Sequence, residues 1–97
     1  MSRILHHEDF APYIDKAFRF SGWPGVLRLT EIAPSRHASE VDVTRIPFTL
    51  IFAGPRGDVL SEGLWTATAE DGSSFDLYVM PIHTPARDRQ EYQAVFN

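Results

Sequence analysis

The chain has 97 residues, 43% of them apolar, with 13 acidic side chains against nine basic ones, a formal charge of −4 and no cysteine. One domain of this length buries roughly 65% of the surface its unfolded chain exposes, so it can fold without disulfides or a structural metal. The missing thiols exclude disulfide frameworks, thiolate zinc sites, redox dithiols and cysteine nucleophiles. With arginines scattered singly from Arg3 to Arg89, the acidic chain lacks the positive field that phosphate backbones require.

The opening MSRILHHEDF has no apolar run of signal-peptide length, and no window approaches the about 20 apolar residues of a membrane span. A cytoplasmic protein without nucleic-acid or membrane partners is the expectation. In HEDFAPYIDKAF, Phe10 and Ile14 are four apart and share a helical face, and Glu8 and Asp9 sit in the first turn, where the dipole favours them. Pro12 is tolerated only near a helix start, so the segment predicts a helix of one to two turns. HHED, residues 6–9, gathers two imidazoles and two carboxylates. Adjacent side chains point in different directions, whereas metal-binding histidine pairs are spaced by four on a helix or two on a strand; no metal ligand is assigned. Lys16 is the single lysine and so the one Schiff-base candidate, but its DKAFR setting points it to water.

Six strand-length runs follow: AFRF (17–20), VLRLTEIA (26–33), PFTLIFA (47–53), LWTATA (64–69), FDLYVMP (75–81) and EYQAVF (91–96). Turn signals separate them at SGWPG, at the stretch from Pro34, and at GPRG, EDGSS and TPARD. The alternation of Leu27 and Leu29 breaks at Glu31 and Ile32, the phase shift of a β-bulge near Thr30. The polar segment SRHASEVDVTR, 35–45, reads as a flexible insertion that a short turn could replace. In the third run Phe48, Leu50 and Phe52 share a face while Ile51 and Ala53 line the other. In the fifth, Phe75, Leu77 and Val79 oppose Tyr78 and Met80. Apolar residues on both faces predict that these strands are central and covered on both sides near one end. The short helix would do part of the covering, and the remainder would be an exposed patch that marks association. In the last run Tyr92, Ala94 and Phe96 share a face and Val95 adds an apolar residue behind it. That pattern predicts an internal or sheet-closing strand, with the free edge at AFRF or VLRLTEIA.

Residues with chemical potential do not assemble into a motif. His37 and His83 stand beside turn residues, and a triad of Ser35, His83 and Asp76 can be named, but no G-x-S-x-G nucleophile turn supports it. GPRG, 54–57, has two glycines and an arginine yet lacks the P-loop pattern, so it reads as a turn. Trp65 is in phase with Ala67 and reads as core; Trp23, in the GWPG turn, reads as a surface aromatic. No catalytic, cofactor-binding or metal residue is assigned, and no cofactor is expected.

Phe10, PFTLIFAGP (47–55), GLW (63–65), LYVMPI (77–82) and YQAVFN (92–97) form a set of motifs that spans nearly the whole chain. In these residues the chain resembles a family of uncharacterised small bacterial all-β domains of unknown function. The resemblance implies association with phage-tail-collar-like proteins and an accessory or structural role in a tail-like or surface-fibre system; it implies no catalytic residues. The segment 35–45 departs from the family pattern. The expected fold is all-β, an antiparallel barrel or sandwich of five to six strands with one short N-terminal helix. The expected function is non-enzymatic, protein interaction or self-association through the surface. The alternative is a small-ligand-binding barrel, which would need a cavity in place of packed aromatics. An enzyme ranks third.

Overall fold

The computed structural model describes residues 7–34, 48–57, 59–82, 84 and 88–96. A single helical turn α1 (His7–Phe10) runs into a 3-10 turn (Ala11–Tyr13), and six strands follow: β1 (Ala17–Phe20), β2 (Val26–Pro34), β3 (Phe48–Gly54), β4 (Gly63–Ala69), β5 (Ser74–Ile82) and β6 (Gln90–Phe96). They close into an antiparallel barrel in the order β1-β2-β3-β6-β5-β4, with β4 pairing back onto β1. The choice between barrel and sandwich is thereby made. The order is unchanged on exchanging β1 with β4, β2 with β5 and β3 with β6, so the barrel is two three-stranded meanders joined along two seams.

Alternation sets the interior. Phe48, Leu50 and Phe52, then Phe75, Leu77 and Val79, then Tyr92 and Ala94 all point inward and are buried. On β1, Phe18 and Phe20 lie opposite Ala69 and Ala67 of β4. Two small side chains beside two large ones let the phenyl rings fill the lumen, where Phe18 and Phe20 meet Phe52 edge-on at centroid distances of 5.6 and 6.0 Å. The register of β2 on β3 slips between Leu29 and Glu31, which is the expected bulge at Thr30. It keeps Leu27 and Leu29 inside, returns Ile32 to the interior side and leaves Thr30 and Glu31 exposed.

Each end of the barrel carries a plug. Phe10 is fully buried against Phe48, Phe75 and Phe96, with centroids 5.9, 4.8 and 5.6 Å away. Leu60, from the β3–β4 connection, is equally buried, and its N–H donates 2.9 Å to the Tyr92 hydroxyl. At the β4–β5 turn Gly72 takes φ 92°, and its N–H donates to the Ala69 carbonyl. This is a left-handed position that a Cβ would strain. Asp71 anchors that turn by accepting from the Ser73 N–H and the Tyr13 hydroxyl, and those bonds, the backbone one first, hold its carboxyl below the usual range.

Three expectations are corrected. The helix turns Phe10 into the barrel mouth, against the inward-facing Phe48, Phe75 and Phe96, and not onto the outer faces of β3 and β5. Val95 is internal by pairing and not by burial: β6 sits between β3 and β5, yet Val95 is 47% exposed. No free edge exists at β1 or β2, since closure gives each of them two neighbours.

Candidate interaction surface

The residues singled out for chemistry are not brought together. Ser35, His37, His83 and His6 lie outside the described residues, as does the segment 35–45; of their partners, Glu8 is exposed and Asp9 half-buried. Asp76 stands on the outer wall of β5 and accepts from the Thr66 hydroxyl at 3.0 Å. Lys16 is exposed. GPRG ends β3 and turns, and its arginine spans the barrel end by donating to the carbonyls of Thr84 (3.2 Å) and Arg89 (3.1 Å). Trp65 packs on the core and donates to the Ser61 carbonyl at 2.9 Å. Trp23 is not the surface aromatic expected: its ring lies over Gly25 against the core, with Nε1 enclosed and unpartnered among the described residues. The tight SGWPG turn folds the indole back because Gly25 leaves room for it.

The surface itself is organised. On the outer wall Leu64 of β4 lies opposite Tyr78 of β5, and Val95 of β6 follows one residue beyond the paired stretch of β5 and β6, opposite Thr49 of β3. Leu64 is 71% and Tyr78 51% exposed. Next to this row Met80, Gln93 and Ile51 run across β5, β6 and β3, half-buried, with the Gln93 amide donating to the Met80 sulfur at 3.3 Å. Isolated exposed leucines need no explanation, but a contiguous apolar row on a sheet face marks association. Its rim is acidic. The Tyr78 hydroxyl donates 2.6 Å to the Glu62 carboxylate, and Asp76 stands one row away. That hydrogen bond first, then partial desolvation and the negative charge, raise the Tyr78 phenol above its ordinary value.

A second surface carries arginines. Two clefts of about 370 and about 530 Å³ open on the outer wall of β1 and β2 and share Ala17 and Val26 as floor. Arg19 and Glu70 bound the first, and Arg28, with Arg89 and its ion-pair partner Asp88, the second. Arg19 lies opposite Val26 and Arg28 opposite Ala17, so the two guanidinium groups stand on one diagonal of a four-residue square and the two apolar side chains on the other. Neither arginine has a carboxylate within ion-pair distance among the described residues, whereas Arg89 beyond them reaches Asp88 and Glu91 at 3.5 and 3.3 Å.

Both surfaces left a signal in the sequence. Residues 57–82 hold five acidic side chains and no Lys, Arg or His, and residues 16–30 hold Lys16, Arg19 and Arg28 with no acidic one. The arginines are scattered along the chain, but the β4–β5 hairpin is acidic, and the β1–β2 hairpin carries its basic residues in the stretch between Asp15 and Glu31. Only strand pairing shows that each of these stretches presents one wall.

A family model described as a domain of unknown function, DUF6916, matches residues 5–96. No curated protein and no solved structure matches the chain.

Proposed function

The chain belongs to the DUF6916 family, and on that premise we propose that it is a protein-interaction or accessory structural domain that works through its outer wall and not by chemistry. One observation carries this reading: Leu64, Tyr78 and Val95 form an exposed apolar row on paired strands, held at a fixed spacing by the closed barrel. Rigid placement reduces the ordering cost of docking. The resemblance to domains associated with phage-tail-collar-like proteins supports a bacterial tail-like or surface-fibre assembly as the setting.

The alternative of a small-ligand-binding barrel has less support, because Phe18, Phe20, Phe52, Leu77 and Tyr92 occupy the lumen and Phe10 and Leu60 close its mouths. The test is affinity capture with the tagged protein and with a Leu64→Asp, Val95→Asp variant. The variant is expected to keep its thermal melt and lose the captured proteins. Capture of the same set by both proteins would overturn the reading.

A further inference from the structure

We propose that the protein associates with itself head to tail: the acid-rimmed apolar wall of β4 and β5 on one copy seats in the arginine-rimmed trough of β1 and β2 on the next. This rests on the reading that the Leu64 row is a contact surface, and it names the partner as a second copy of this chain.

Complementarity of both shape and charge carries it. The trough is concave with a small apolar floor, Ala17 and the 39% exposed Val26; Glu70 and Asp88 also line it, but Asp88 is paired with Arg89, and neither Arg19 nor Arg28 has an ion-pair partner among the described residues. The opposing wall is its converse: Leu64 is the most exposed of the large apolar side chains among the described residues, and Glu62 and Asp76 flank the Leu64–Tyr78 pair on either side. Like charges on a strand-pair diagonal oppose folding, and opposite cross-strand charges would favour it. In a chain with 13 acidic and nine basic residues, two arginines without an ion-pair partner among the described residues give the monomer nothing. They give an arriving pair of carboxylates two charge-assisted contacts, and arginine's planar fork suits carboxylate recognition. The Tyr78 hydroxyl fixes one of those carboxylates in advance through its bond to Glu62.

The two surfaces are different patches, centred two strand positions apart in a ring of six. Contact between them is heterologous, so each bound copy still offers one free trough and one free wall, and growth ends only in a closed ring or continues as a filament.

The experiment is sedimentation velocity on the full chain and two variants. Arg19→Gln with Arg28→Gln removes the charges of the trough and keeps the wall; Glu62→Gln with Asp76→Asn does the reverse. The unmodified protein is expected to form species larger than a dimer that weaken at least about tenfold between about 50 and about 500 mM salt. Each variant alone should be monomeric, and an equimolar mixture should give a one-to-one dimer and stop there, because only one competent interface can form. A monomeric unmodified protein at millimolar concentration would overturn the proposal, as would a mixture no heavier than its components or a variant that dimerises alone. Should a double variant fail to fold, Arg28→Gln and Asp76→Asn replace it with the same expected order of behaviour. If the unmodified protein is monomeric while the Leu64→Asp, Val95→Asp variant still loses captured proteins, self-association fails and the contact-surface reading stands.

Discussion

Phe10 and Leu60 do the same work at opposite mouths of the barrel, and each lies in the segment that leads into the first strand of a three-stranded meander. Phe10→Ala would leave a cavity among Phe48, Phe75 and Phe96. A loss of about 3–5 kcal/mol is expected from urea unfolding, a large part of a total of about 5–15 kcal/mol. A loss below about 1 kcal/mol would mean that the mouth closes over the gap. On the wall, the bond from Tyr78 to the Glu62 carboxylate raises the phenol's pKa in the folded state. The folded chain therefore keeps that proton to higher pH than the unfolded one. The contribution of the bond is complete at neutral pH and is lost as pH rises through the Tyr78 titration. Glu62→Gln should bring the titration down, read as tyrosinate absorbance against Tyr78→Phe. An unmoved titration would show that the carboxylate does not govern it.

Among the elements, β6 is held on both sides, pairing with β3 along seven residues and with β5 along four. Removing residues 92–97 takes Tyr92, Ala94 and Phe96 from the core side and breaks the ring. No cooperative melt should remain, and a truncated chain that still melts sharply would make β6 a detachable strand. The connection from β2 to β3 behaves oppositely. Pro34 and Phe48 are register partners, so the strand ends already lie side by side. Loop-closure entropy changes slowly with length, and replacing residues 35–45 with a four-residue glycine-containing turn should leave the melt within a few degrees. An insoluble product would show that the segment packs on the barrel.

For the molecule as a whole, closure leaves no strand without two neighbours and threads one core through the lumen. Unfolding should be all-or-none, with far-ultraviolet circular dichroism and tryptophan fluorescence tracing one transition. Trp23 and Trp65 both pack on that core and report the same end of the barrel, since a Cβ added at Gly22, beside Trp23, would lie 3.9 Å from the Trp65 ring. An earlier fluorescence transition would mean that this end opens by itself.

Much of this was legible in the residues, because the determinants are local. Alternation of period two marked all six strands to within one residue at each end, and the break after Leu29 marked the bulge, since the pleat forces successive side chains to opposite faces. Phe48, Leu50, Phe52, Phe75, Leu77 and Val79 were identified as inward for the same reason. The non-local decisions were made elsewhere. Whether six antiparallel strands close or stack depends on the β1–β4 seam, where two alanines make room for two phenylalanines from residues some 50 positions earlier, and no window of sequence contains that pairing. The same closure turned Phe10 inward and so uncovered the outer wall, left Val95 exposed on an internal strand, and set Arg19 diagonal to Arg28. Sequence fixes which face a side chain takes on its own strand; what lies beside it on the next strand is set by pairing, which only the folded chain decides.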